Sequence, residues 1–398
     1  MKSKSNDKIS KYELLAPAGD FPMLVSAVKA GANAVYFGLK EFSMRDNAKN
    51  FLIGDLKKIN EICGKNVKKY LTINVIVYDN EIKKIEEILK KVKGKVDAII
   101  CWDLSVINLC RKLKIPFHIS TQGSVSNSES AKFYRDIGAE RIVLARELNL
   151  DQIKEISKIV PVECFIHGAM CVAVSGRCFM SLDLFKRSAN RGMCTQVCRR
   201  SYKITDEEGK ELRLNRNTVM SAKDLCALPF MDKLKDAGIV SFKIEGRNRD
   251  ARYVDTVTRV YRKALDKKLS REEIEEGLQE LEKVYNRGFS SGFYLGVPTS
   301  DDFSNFENSG ASTKKQFIGK VTHYYPKAGV GTVFISAGEL NVGDEIVIVG
   351  KTTGIEKTKI ERLEVDKNSV EKAVKGYEIG IKLPRVRVND EVYLIKEA

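Results

Sequence analysis

Residues 12–39 read YELLAPAGDFPMLVSAVKAGANAVYFGL. YELLAPAG (12–19) is a short apolar run closed by Pro and Gly, and AVYFGL (34–39) is a second such run. Between them FPMLVSAVKAGA follows Asp20, spaces its apolar residues close to helical period and ends at a glycine stop. Strand, helix and strand in so few residues make a βαβ unit, whose two strands run parallel.

The same alternation continues down the chain. Further β-rich runs are KKYLTINVIV (68–77), VDAIICWD (96–103), PFHISTQ (116–122), RIVLARE (141–147), PVECFIHG (161–168) and VSFKIEG (240–246). Helical patterns such as NEIKKIEEILKKVKG fill the gaps, with glutamates placed ahead of lysines. Eight strands with helical crossovers predict an α/β fold, a (β/α)8 barrel of the TIM type within residues 1–300, a size near the usual ~250 residues. The rhythm breaks once, where about 70 residues separate the seventh run from the eighth. Loops after barrel strands form the face where such barrels do chemistry, so this insertion belongs to that face.

SREEIEEGLQELEKVYNRG (270–288) reads as a charged helix with a glycine stop, and the polar, turn-rich SSGFYLGVPTSDDFSNFENSGAS follows it. A linker is expected over residues 301–314. Beyond it QFIGKVTHYYPKAGVGTVFIS, GDEIVIVG and EIGIKLPRVRVNDEVYLI alternate in period two, which predicts a small all-β barrel over 315–398.

The start MKSKSNDKISK lacks the apolar core of a secretory signal, and no run approaches the ~20 apolar residues of a membrane span. The expected location is the cytoplasm, with no membrane contact. A formal net charge of +15 suggests a polyanionic partner. Residues 315–398 hold 14 basic and 12 acidic side chains, leaving +13 of the +15 in residues 1–314.

The insertion opens with four of the nine cysteines, Cys171, Cys178, Cys194 and Cys198, spaced C-x6-C-x15-C-x3-C. In a reducing compartment such a group suits a structural zinc or an iron-sulfur cluster, although only Cys194 and Cys198 stand as close as zinc pairs usually do. His167 and Cys171, four residues apart, could instead form a nucleophilic pair. Cys63, Cys101, Cys110 and Cys164 fall in strand or helix patterns and read as core residues. Six basic residues from Arg177 to Arg200 face the single acid Asp183 in sequence; they could offset a cluster's charge or receive phosphates.

ECFIHGAMCVAVSGRCFMS (163–181) resembles the signature of the collagenase-like peptidase family U32. ELLAPAGD, AVYFG, HISTQ, VLARELNL, SFKIEGRNRDARYV and NRGFSSGFY are similar to its other blocks, so the resemblance spans essentially the whole chain. LNVGDEIVIVG and GIKLPRVRVNDEVY resemble the family's C-terminal β-barrel, itself similar to the second domain of elongation-factor GTPases. The branch with the nearest motif pattern comprises RNA hydroxylases with a 4Fe-4S cluster, notably the prephenate-dependent enzymes that make 5-hydroxyuridine at the tRNA wobble position; a ribosomal RNA cytidine 5-hydroxylase is a relative. The resemblance implies cluster ligation by Cys171, Cys178, Cys194 and Cys198 in HGAMC, SGRC and GMCTQVCR, within an iron-sulfur loop over 163–225. Relatives acting on ubiquinone place the last ligand farther on, where Cys226 is the candidate. The implied partners are RNA, tRNA first, and a small dicarboxylate such as prephenate. Alternatives are a peptidase, the rRNA enzyme, and an RNA-binding module stapled by zinc.

Residues at or just past the predicted strand ends are the candidates for the rest of the site. His167, Glu245 and Lys243 are expected to be catalytic, and Arg45, Asn74, Gln122, Arg146 and Arg247 to bind substrate.

Overall fold

A computed structural model describes residues 11–45, 48–202, 204–212, 220–306 and 308–398. Its eight barrel strands are β1 (Glu13–Ala18), β2 (Ala34–Gly38), β3 (Lys68–Thr72), β4 (Ala98–Cys101), β5 (Phe117–Ile119), β6 (Arg141–Val143), β7 (Val162–Gly168) and β8 (Ser241–Ile244). Each pairs in parallel with the next, and β8 pairs with both β7 and β1, which closes the ring. All eight expected strands form, and most stop short of the expected end. The residues beyond leave the ladder and turn over the rim.

Apolar residues on the outer faces of the strands pack against the helices, as in Leu14, Val35, Leu71, Ile99, Ile142 and Phe242. Inside the ring a smaller set, Leu15, Ala34, Tyr36, Tyr70, Ala98 and Ile100, fills the middle. Strands buried on both faces lose the polar alternation of an exposed sheet, and for that reason they read as apolar runs.

The insertion after β7 is tied back to the barrel by a short strand, Asp224–Cys226, that pairs antiparallel with the end of β7. Phe289–Ser290 then pairs with that strand. The turn-rich segment after helix Arg271–Glu282 is also pinned to the barrel: the Tyr294 hydroxyl donates to the Phe165 carbonyl at 2.6 Å.

The antiparallel domain opens with strand Thr313–Tyr325 and ends with Glu391–Glu397, its eight-stranded sheet enclosing Ile318, Val333, Ile346, Ile379 and Val392. It is docked on the barrel through Lys29 to Glu356 (2.6 Å), Lys315 to Asp250 (2.6 Å) and Arg252 to Thr313 (2.5 Å). At Gly354, φ is +70°, and a Cβ would meet Val25 at 2.8 Å and the Ser26 amide at 3.1 Å, so only glycine lets this turn rest on helix Phe21–Lys29. Among the described residues no helix is long and apolar enough to cross a membrane.

Candidate functional site

The rim residues and the cysteine insertion enclose a cavity at the C-terminal end of the barrel. Arg45, Asn74, Gln122, Arg146, Lys243, Glu245 and Arg247 all line it, together with Cys171, Cys194 and Cys198. Two expected residues, Cys178 and His167, are not in the lining.

Among the described residues seven cationic side chains line the cavity, Arg45, Arg146, Arg199, Lys243, Arg247, Arg249 and Arg287, against one carboxylate, Glu245. Glu245 accepts from Arg45 Nη2 at 3.0 Å and Nε at 3.2 Å. Burial alone would raise its pKa, but Arg45, Arg146 and Arg247 outweigh burial and hold it at about 2. It is therefore a fixed anion near neutral pH and no proton donor, so any part it takes in the chemistry is to hold charge and orientation.

Arg247 is almost fully buried and donates to Ser43 Oγ at 2.7 Å and Thr72 Oγ1 at 3.1 Å. Burial depresses its pKa to about 10, with Arg45 adding to the effect while Tyr36 and Glu245 oppose it. A guanidinium pushed down in this way lacks sufficient negative charge around it. Arg146 donates to the Ala169 carbonyl at 2.7 Å and lies over the Phe165 ring at 3.9 Å. Its Nε and the Nη1 of Arg287 are buried and find no hydrogen-bond partner among the described residues. The cavity thus carries surplus positive charge and unmet donors, the chemistry of a carboxylate or phosphate site. Asn74 and Gln122 lie on the opposite rim, where Asn74 Nδ2 donates to Gln122 Oε1 at 3.4 Å and to Ser120 Oγ at 3.3 Å. Lys243 is pinned to the buried Glu163 at 2.7 Å, so it is a fixed cation on the floor of the cavity.

His167 sits outside this constellation for an identifiable reason. Glu163 and Phe165 point into the barrel, and period two would send His167 inward as well. The β7–β8 register slips between Lys243 and Ile244, so Phe165 and His167 stand opposite adjacent residues of β8. This bulge turns the imidazole outward onto Tyr253, Tyr261 and Phe289, with Nδ1 3.2 Å from the Tyr261 hydroxyl. Burial, reinforced by Arg249, lowers its pKa to about 3. It is a neutral core histidine, it has no place in the cavity, and it cannot serve Cys171 as a base.

The four loop cysteines are partly or fully open to solvent, whereas Cys63, Cys101, Cys110 and Cys164 are buried as expected. Cys226 is buried too, 3.5 Å from the Tyr261 hydroxyl, which removes it from the ligand question. Burial pushes the Cys198 thiol up, Arg199 opposes this, and Cys171, Cys194 and Cys178 add to it, so the other three sulfurs lie within electrostatic reach of Cys198. Among the described residues no three Cys, His, Asp or Glu side chains stand close enough to grip an ion as placed. The donor set itself, four thiols free of disulfides on one loop over a cationic cavity, fits an anionic thiolate-held centre.

Two of the six basic residues in this loop are structural. Arg191 grips Glu81 at 2.5 and 2.8 Å, bonds the Ile76 carbonyl and stacks on Tyr78. Arg199, buried, bonds the Met170 and Ala222 carbonyls. At Gly176, φ is +78° and a Cβ would lie 2.7 Å from Gln122 Cγ, so glycine permits the loop to rest on the rim.

Sequence reasoning missed Tyr36, Arg249 and Arg287. Tyr36 alternates with Ala34 on the inner face of β2 and could have been found from that period. Arg249 lies two residues past Arg247 in the same turn. Arg287 arrives from a segment far along the chain, and no local pattern marks it.

Fold and cavity define the class: a TIM-type barrel with a thiol-flanked cationic pocket at its chemical end. The chain belongs to peptidase family U32, whose model matches residues 19–303. A collagenase of Porphyromonas gingivalis is 40% identical, with 97% of this chain and 98% of that one covered. The tRNA hydroxylation protein P1 of Bacillus subtilis is 36% identical, covering 80% and 82%. The 23S rRNA 5-hydroxycytidine C2501 synthase of Escherichia coli is 40% identical over 64% of this chain and 39% of its own length.

Proposed function

We propose that this chain is an iron-sulfur RNA hydroxylase that adds a 5-hydroxyl to a pyrimidine, with the tRNA wobble uridine as target and prephenate as oxygen donor. The observation that carries the reading is the charge imbalance of the cavity, six arginines to one carboxylate in its lining among the described residues, beside three of the four loop thiols. The names of the B. subtilis and E. coli relatives support RNA hydroxylation as the activity.

In this reading Cys171, Cys178, Cys194 and Cys198 hold a 4Fe-4S cluster, which when bound supplies one-electron redox chemistry at the cavity wall. Arg247, Arg146 and Arg287 receive the carboxylates of the donor, answering the unmet donors of the last two. Glu245 fixes Arg45 beside them, and Lys243 adds a cation at the floor. Asn74 and Gln122 offer amides that can read the edge of a pyrimidine. Because the cavity lies inside the barrel mouth, the base enters flipped out or from a single-stranded loop.

A peptidase needs an activated nucleophile, and among the described residues no histidine lines the cavity and its one carboxylate is locked on Arg45. The deciding experiment returns wild-type and Cys194→Ala genes to a deletion strain. Wild-type should restore a hydroxypyrimidine seen by nucleoside mass spectrometry. The variant should lose iron, sulfide and the modification together. A variant that keeps its cluster refutes the ligand assignment, and unchanged hydroxypyrimidine levels with wild-type refute the activity.

A further inference from the structure

We propose that the seam between the barrel and the antiparallel domain is a phosphate track, which holds the RNA strand adjoining the base under modification. This inference rests on the RNA reading above and specifies where that RNA runs. Arg247, Asn248 and Arg249 line both the barrel cavity and the seam cleft, so the cleft opens at the rim of the site. The far wall comes from the antiparallel domain and includes Lys351 and Arg387.

The charges in the cleft are unevenly engaged. Each of its four acids has a partner within the protein: Asp20 with Lys49 (3.0 Å), Asp250 with Lys315 (2.6 Å), Asp390 with the Thr353 hydroxyl (2.5 Å) and Glu391 with the Tyr393 hydroxyl (2.6 Å). Lys351 is exposed and, among the described residues, neither it nor Arg249 forms an ion pair. Arg249 lies over the Tyr285 ring at 3.4 Å, a stacking that uses the face of the guanidinium and leaves its in-plane N–H groups for an acceptor. Arg387 gives its backbone amide to Asp390 and touches the Thr353 hydroxyl only at 3.4 Å.

The occupant these groups suit is a phosphodiester strand. A protein partner needs apolar anchors, and among the described residues Val388 is the one exposed large apolar side chain in the cleft. The seam is also pre-formed, since the Lys29–Glu356, Lys315–Asp250 and Arg252–Thr313 contacts fix the domain to the barrel. The antiparallel domain has little net charge, yet it presents two cations where the cavity opens.

The test uses the full chain with Lys351→Glu and Arg387→Glu, singly and together. Both residues are exposed, and neither lines the barrel cavity. Binding of labelled, unmodified tRNA transcript and of a 23S rRNA fragment is measured across a salt series, alongside iron content. The double variant should bind at least ~10-fold more weakly, and the slope of log affinity against log salt should become shallower by about 0.7 for each phosphate no longer neutralised, with iron unchanged. Wild-type binding with an unaltered affinity and slope in the double variant overturns the track while leaving the hydroxylase reading intact. A wild-type protein that binds neither RNA overturns both.

Discussion

The two ends of the barrel interior handle charge in opposite ways. At the closed end Glu13 and Glu163 face Arg141 and Lys243: Arg141 bonds Glu13, lies 3.3 Å from Glu163, and Lys243 meets Glu163 at 2.7 Å. Tyr70 and Ser241 hydroxyls add donors to the same carboxylates. The two carboxylates and two cations balance, and each is held by a partner of opposite charge. At the open end the arginines outnumber the lining's carboxylate and two of them keep idle donors. Buried charge that is paired belongs to the architecture, whereas buried charge left in surplus waits for a ligand.

Substitutions at the two ends should separate these roles. Arg141→Met leaves Glu13 and Glu163 short of a cation in a buried setting and should cost about 3–5 kcal/mol in denaturant unfolding, while the KM of the surviving enzyme stays as in wild type. A loss under about 1 kcal/mol would mean the closed end is not an interlocked charge network. Arg247→Met should do the reverse. It removes a cation that the fold itself under-compensates, so stability should move by less than about 1 kcal/mol while KM for the anionic donor rises about tenfold or more. A large stability loss with unchanged KM would erase the distinction between the ends.

A gentler effect, spread over several pH units, concerns acid. His167 in the folded chain protonates at about 3, well below the ordinary 6.5, so between those values the unfolded chain binds a proton that the folded chain refuses. Stability should therefore fall as pH drops below about 6.5, by at most about 1.4 kcal/mol per pH unit from this residue, and cease falling on its account below about 3. His118, also lowered by burial, adds to the slope. His167→Phe should flatten the slope without abolishing it. An unchanged slope would place the histidine in contact with solvent or a carboxylate.

Much of this molecule could be read from residue order, and the parts that could not have physical causes. The eight strands were legible because burial on both faces makes apolar runs. Arg45, Asn74, Gln122, Arg146, Glu245 and Arg247 were legible because a residue just past a parallel strand has nowhere to go but over the rim. His167 obeyed the same positional rule and broke it through one bulge, a pairing detail of β7 against β8 that neither strand's sequence carries alone. Arg191 and Arg199 looked like free cations in a basic loop, but their partners Glu81, Met170 and Ala222 are distant or backbone groups. Arg287 and the seam cleft depend on how segments far apart in sequence dock, which no short window reports.

The antiparallel pairing of Leu225 with Gly168 and Cys226 with His167 closes the cysteine insertion on itself with protein alone. Arg191 lashes that closed loop to Glu81 on the barrel, and Arg199 ties the two ends of the loop to each other through Met170 and Ala222. Much of the entropy of closing the loop that carries the thiols is thus surrendered to protein contacts alone. Zinc fingers, by contrast, use the ion to drive folding. If this loop holds the proposed cluster, the order is inverted: the protein frame closes first and the centre is built into it.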